Sequence, residues 1–412
     1  VIQTAPSIEA IRAQFPSLAS GFAFLENAGG SQVPGVVIDE ISRFYREDYA
    51  QKGASYGASV RCGELVEKCK LFMSRIFGGE ATGEVVVGQS ATALFNMLAG
   101  AYRQILKPGD EIVISVSNHE SHIGCWERLS EFGVVIRWWG VDPVTGLSSL
   151  DDLAGLVNER TKLICFTQTC NLVGDIVDAK AVVKIAQSVG AVTVLDSVAS
   201  ASHQSLAVEE WGVDFCCFSA YKVYGPHMGA LWGKHERWAE LTGPNHQQLP
   251  KKGAVNFELG CLSYEGMAGF LDLGRYFGFL ADVEVGSGEV APREVIVKAY
   301  ALMGELERGL SETMLGWLNS RTDLRVLGVT DTAVGRHPTF SFVHDRLGSG
   351  EIERRVNEQA IGIKYGHMYA WRVCEAVGIP VEPGVVRVSA VHYNSVEEIQ
   401  RVCSVLEGVL NS

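Results

Sequence analysis

Short apolar runs alternate with longer amphipathic stretches through the middle of the chain, and the two patterns predict different elements. The runs 84–88, 111–115, 134–139, 162–167, 192–197 and 213–219 are rich in β-branched residues and lack clean polar alternation. That is the signature of strands covered on both faces. Helical patterns over 90–104, 122–132, 150–158 and 179–189 separate them. Strand–helix–strand spacing of this kind implies an α/β fold with a mostly parallel, doubly wound sheet.

Beyond about residue 290 the pattern changes. A long helical stretch, 294–319, precedes strand candidates over 324–329, 339–343 and 385–391, and a helix over 395–410 closes the chain. We read a smaller α+β C-terminal domain formed by 1–15 and 291–412, and a larger domain over 16–290. A length of 412 residues with 47% hydrophobic content supplies material for both.

Charge and cysteine usage narrow the function classes. A formal net charge of −13 argues against nucleic acid or an anionic membrane as the main partner. It does not exclude a phosphate held by local dipoles. The most membrane-like stretch, 85–102, is interrupted by Gln89, Ser90, Thr92 and Asn96. The 10 cysteines form no disulfide framework or paired CxxC spacing, and the first residues lack the pattern of a secretory signal. The expectation is a cytoplasmic protein with reduced thiols.

In an open α/β sheet, ligands collect beyond the carboxyl ends of the strands. Polar residues stand at several of those ends. The run 192–195 delivers Asp196, the run 213–218 delivers Ser219 followed by Tyr221 and Lys222, and the run 162–167 leads to Asn171. The run 84–88 opens onto Gln89-Ser90-Ala91-Thr92 at a helix start, a fitting cradle for a phosphate. Taken singly, each has a plain reading as a cap or a solvated loop residue. Together, an aspartate able to hold a pyridine nitrogen protonated and a lysine able to form a Schiff base point to one cofactor site.

The segment SAYKVYGPHMG (219–229) resembles the lysine motif of the class V aminotransferase and cysteine desulfurase family. These are pyridoxal 5′-phosphate (PLP) enzymes of fold type I. The subgroup with Tyr-Lys followed by Gly-Pro-His is the most similar. FLENAGGSQVP (24–34), GQSATALFN (88–96), SNHESHIGCW (117–126), CNLVG (170–174), VLDSV (194–198), FELGCLSYEG (257–266) and VVRVSAVHYNSVEEI (385–399) resemble further motifs of that family, in its order.

The resemblance implies roles for particular residues. Lys222 would hold the cofactor as an aldimine, Asp196 would pair with the pyridinium nitrogen, and His119 would stack on the ring. Asn171 would hydrogen-bond the 3′-oxygen; Ala91, Thr92, Ser219 and Tyr221 would serve the phosphate. Arg387 would clamp the substrate α-carboxylate, with Asn27, His122 and Tyr369 on the substrate side. Tyr56, Arg61 and His367 are further pocket candidates. No third ligand accompanies His119 and His122, so no metal is expected, and a surface or substrate-facing His122 is the reading. A homodimer with its site at the interface is implied, with an amino acid as the small-molecule substrate.

Three departures bear on the reaction. The loop that holds the desulfurase cysteine reads KYGHMYAW (364–371) and contains none; Cys374 follows in a helical pattern. Ala199 stands where relatives carry Gln or His, and Cys261 where a Thr reaches the phosphate of a neighbouring subunit. The expected function is therefore PLP chemistry on an amino acid through an external aldimine and quinonoid. Desulfurase-like or C–S lyase activity leads, with a class V aminotransferase or epimerase as the alternative. A non-catalytic scaffold homologue is the remaining reading, and retention of Lys222, Asp196 and Arg387 weighs against it.

Overall fold

A computed structural model describes residues 5–331 and 335–412. The described residues fall into two compact units, one within 1–17, 31–105 and 204–302, the other within 18–30, 106–203 and 303–412.

In the first unit, strand Gly229–Lys234 lies antiparallel between Gly83–Gly88 and Phe215–Ser219. This strand is not among the expected ones, because GALWGK is short of β-branched residues. Packing explains its glycines. A Cβ on Gly229 would sit 2.5 Å from the Ser90 carbonyl carbon and 2.7 Å from the Ala91 nitrogen. One on Gly233 would meet the Phe215 ring at 2.6 Å. Helices Gly35–Glu47, Gly57–Phe77 and Tyr264–Ala281 complete this unit's main packing. In the last of these, Gly269 lets Ile41 and the Val37 carbonyl come close.

In the second unit, strands Val192–Asp196, Thr161–Thr167, Glu111–Ser115 and Val135–Trp139 pair in that order, all parallel. The expected helices over 150–158 and 179–189 form as Leu150–Leu156 and Ala179–Val189. The expected helix over 122–132 does not. It breaks into a 3-10 turn Glu120–His122, one α turn Gly124–Glu127 and a 3-10 run Arg128–Phe132. Gly124 beside Ile123, whose ψ is −61° at φ −108°, marks the break.

The same unit holds a four-stranded antiparallel sheet of Lys364–Gly366, Val385–Ser389, Thr339–His344 and Leu324–Val326. Ala23–Phe24 pairs parallel with Ile361–Gly362. The closing helix Val396–Leu410 starts from a capping box, in which Ser395 and Glu398 satisfy each other's backbone N–H. Its apolar face joins Leu310, Met314 and Leu318 of helix Arg293–Asn319 in one core with the sheet.

Candidate functional site

In the first unit, strand register gathers the expected phosphate-side residues. Gly88, Gly229 and Ser219 are direct partners across the three strands. Helix Ala91–Tyr102 and the turn Ala220–Lys222 therefore leave the same end of the sheet. Ser90 caps the helix by accepting the Ala93 N–H at 3.2 Å, and the first N–H groups of any helix lack intrahelical partners. The helix dipole adds partial positive charge there.

Lys222 is 7% exposed, an uncommon burial for a lysine. Its turn is fixed by Ser31, whose N–H and hydroxyl both donate to the Tyr221 carbonyl at 3.1 Å. The Ser31 hydroxyl oxygen also accepts the Tyr224 N–H at 2.9 Å. Tyr224 holds φ +57°, so this contact stabilises a left-handed residue. The Tyr221 ring stacks on His227 with centroids 5.0 Å apart and planes 17° apart. Cys261 is exposed, its thiol 3.6 Å from Gln51 Oε1, and it lines a cavity of about 400 Å3 with His227 and Tyr264. Among the other candidates of this unit, Tyr56 is 56% exposed and Arg61 pairs with Asp48 at 2.8 Å.

In the second unit, Thr167 and Asp196 are partners at the carboxyl ends of adjacent parallel strands. Asp196 is 3% exposed and its Oδ1 accepts the Val198 N–H at 2.8 Å. Gln168, which the sequence did not single out, ties the strand ends together. Its N–H donates to the Asp196 carbonyl at 2.9 Å, and its Oε1 accepts the hydroxyls of Ser197 and Ser200.

Asn171 is held by donating to the Met368 carbonyl at 2.8 Å, which leaves its buried Oδ1 without a partner. Arg387, 2% exposed, donates from Nη1 to the Asn171 carbonyl at 3.0 Å and from Nη2 to Glu26 at 3.1 Å. Its Nε is buried and unpartnered. Two orphaned polar atoms on adjoining residues mark a place that a polar ligand would satisfy.

His119 caps the turn Glu120–His122, its Nδ1 accepting the Ser121 N–H at 3.1 Å. Its ring lies 5.1 Å from that of Tyr369. Tyr369 is 64% exposed and left-handed at φ +60°, and Met368 before it holds φ +49°. The loop carrying them is tied down at several points. The Tyr369 carbonyl accepts the Glu120 N–H at 2.8 Å, Trp371 Nε1 donates to Glu120 at 2.9 Å, and Arg372 pairs with Glu127 at 2.7 Å. His367 Nδ1 accepts the Tyr369 N–H at 3.1 Å.

Two of the substrate-side candidates lie inside the fold. His122 is not a surface residue. It is fully buried, with Nε2 3.2 Å from the Val194 carbonyl and Nδ1 accepting the Trp126 indole at 3.3 Å. Burial pushes its pKa down to about 3. Asn27 is spent inside the fold. Its amide N–H groups face the Phe24 and Ser389 carbonyls and Asn394, and its oxygen accepts the Tyr393 hydroxyl. Both amide hydrogens are thus claimed.

Cys374 lies wholly in the core in helix Trp371–Ala376, and burial pushes its thiol up to about 11. Of the ten cysteines only Cys261 is exposed.

One cluster had no sequence signal. His203 Nδ1 meets both Glu307 carboxylate oxygens at 2.9 and 3.0 Å, and the Glu307 carboxylate accepts the His392 N–H at 3.1 Å. His337 brings these groups to metal-like spacing with His203 and Glu307. The His203 and His337 rings are nearly parallel, 15° apart with centroids at 4.6 Å. A metal binds in the plane of an imidazole, so stacked rings suit it poorly. The cluster reads as a buried hydrogen-bonded joint.

The family model for class V aminotransferases matches residues 23–248 and 297–402. An aminotransferase-like protein of Gibberella zeae is 32% identical over 98% of both chains. A cysteine desulfurase of Pectobacterium carotovorum is 29% identical over 98% of both. Among solved structures, the apo cysteine desulfurase of Thermococcus onnurineus superposes with a TM-score of 0.86, covering 99% of each chain at 22% identity. That likeness shows the fold, α/β with a smaller antiparallel C-terminal sheet.

Proposed function

Because the chain belongs to the class V aminotransferase family, whose members are PLP-dependent, we propose that it is a PLP enzyme acting on an α-amino acid. The observation that carries this reading is the buried Lys222 at the end of strand Phe215–Ser219, beside a helix start suited to a phosphate. The residues present fit the cofactor. Ala91, Thr92, Ser219 and Tyr221 would hold its phosphate, and Asp196 its ring nitrogen. His119 would lie on its ring face, and Asn171 would hydrogen-bond its 3′-oxygen.

Bound there, PLP supplies an electron sink for the pair released when the Cα–H bond breaks. Lys222 Nζ takes that proton and returns it at a later step. The Asp196 carboxylate would hold the ring nitrogen protonated, which maintains the sink. Arg387 fixes the substrate carboxylate, and two-point contact by a guanidinium sets orientation as well as charge.

The chemistry we favour is desulfurase-like or C–S lyase, with sulfur leaving the substrate without passing to a protein thiol. The buried Cys374 and the cysteine-free, tethered loop over 364–371 support that restriction. The same observation leaves transamination or epimerisation as the second reading, since both use these residues and need no thiol. A screen of amino acids scoring sulfide, pyruvate, keto acid and racemised product separately decides. Sulfide with pyruvate is the expected pair, and keto acid or racemate without sulfide would move the assignment. We further propose a homodimer in which the segment around Cys261 meets the partner. A solution mass near twice 44.7 kDa is expected; a mass near that of one chain counts against it.

A further inference from the structure

Arg387 does not wait alone for a substrate carboxylate. Glu26 already occupies one of its nitrogens, Oε1 to Nη2 at 3.1 Å, in a contact made at a single point. The neighbouring Nε, on the same edge of the guanidinium, is buried and unpartnered. A free carboxylate that took both Nε and Nη2 would make a two-point contact where Glu26 makes one.

Strand register explains why a resident anion stands there. Lys364 and Arg387 are direct partners on adjacent antiparallel strands, and like charges placed opposite each other repel. Glu26 Oε1 lies between them, 3.6 Å from Lys364 Nζ. Arg387 is 2% exposed, and a buried cation without a counter-charge is strongly destabilising. The chain makes room for this anion at Gly29, where a Cβ would fall 2.1 Å from Glu26 Oε1.

We propose that Glu26 is a resident counter-ion of the carboxylate clamp, displaced from Arg387 by the substrate and then retained by Lys364. This rests on the reading of Arg387 as the clamp. Glu26 is a positioning residue on this account. It keeps Arg387 charged and aimed in the empty enzyme, and it sets a threshold that only a carboxylate able to reach Nε and Nη2 together overcomes.

The test uses the PLP-loaded enzyme, titrated with L-alanine, L-cysteine and L-aspartate, and with ethylamine as a probe lacking the carboxylate, followed by cofactor absorbance. If Glu26 holds Arg387 in about nine molecules of ten, removing it tightens amino-acid binding roughly tenfold. Glu26→Gln should show that gain with ethylamine unchanged. Gly29→Ala, which pushes the carboxylate away without removing it, should move binding the same way and serves if Glu26→Gln fails to fold. Unchanged or weaker amino-acid binding in the folded variants overturns the proposal. If Arg387→Lys weakens the amino acids while Glu26→Gln leaves them unmoved, the clamp stands and the counter-ion role fails. If none of the three amino acids shifts the wild-type band, the amino-acid reading falls and takes this one with it.

Discussion

The turn after strand Phe215–Ser219 and the loop over 364–371 carry opposite kinds of information. In the turn, Ser219, Tyr221 and the buried Lys222 stand together, and Ser31 braces the backbone. In the loop, the thiol that a persulfide-forming enzyme requires is absent. Bonds from Asn171, Glu120 and Glu127 hold the segment down, and it turns through two left-handed residues. On the proposed function, binding the cofactor and choosing the reaction are written in separate places. A sequence can keep the first intact while the second drifts.

The largest effect is expected at the carboxylate clamp, which both readings of the reaction need. Arg387→Lys should lower kcat/KM by about 100-fold, because a point charge cannot reproduce two-point recognition. A loss under threefold would detach Arg387 from the substrate.

A second effect concerns the scaffold behind Asp196. His122 touches the Val194 carbonyl in the strand that ends at Asp196, and burial holds its pKa near 3. Its folded value lies below the unfolded one of roughly 6.5. The stability this contributes is complete above that pH and is lost as pH falls toward the folded value. Denaturant unfolding at pH 6.5 and pH 5 should differ by about 2 kcal/mol from this residue. His122→Gln, which can keep both hydrogen bonds, should reduce the difference by about that amount, while the buried His337 and His392 keep their own share. An unaltered slope would contradict the assignment.

The loop gives smaller effects. Glu120→Gln weakens the tie to Trp371 while leaving the backbone bond to Tyr369. It should raise KM by roughly threefold to tenfold, in line with the loss of one charge-assisted hydrogen bond. The proteolytic sensitivity of 364–371 should rise with it. Smallest of all, Cys374→Ser and Cys261→Ser should each change turnover by less than about twofold, since neither thiol is assigned a sulfur-carrying role. Loss of sulfide release in either variant would restore a persulfide route.

How much of this was legible in the sequence depends on what each residue does with its neighbours. Asp196, Asn171 and Lys222 follow apolar runs that could only be buried strands, so their placement at strand ends was readable. His122 was not. Three residues from His119 in a polar-looking segment, it suggested a second site histidine. Only the packing of Trp126 and the Val194 carbonyl around it reveals a core residue. The setting of Asn27 was hidden for a related reason, because its amide bonds to Ser389 and Asn394, more than 360 residues away in sequence. Strand Gly229–Lys234 escaped because its glycines answer to helix and ring contacts, not to strand propensity. The Glu26 contact with Arg387 likewise depends on a pairing that no local pattern announces.

The central claim is that Lys222 carries the cofactor. Purified protein incubated with PLP should show an absorbance band of a lysine-bound cofactor. Borohydride reduction followed by peptide mapping should then find the added mass on Lys222, and Lys222→Ala should abolish both signals. A band that survives in Lys222→Ala, or a reduced adduct on another lysine, would contradict the account.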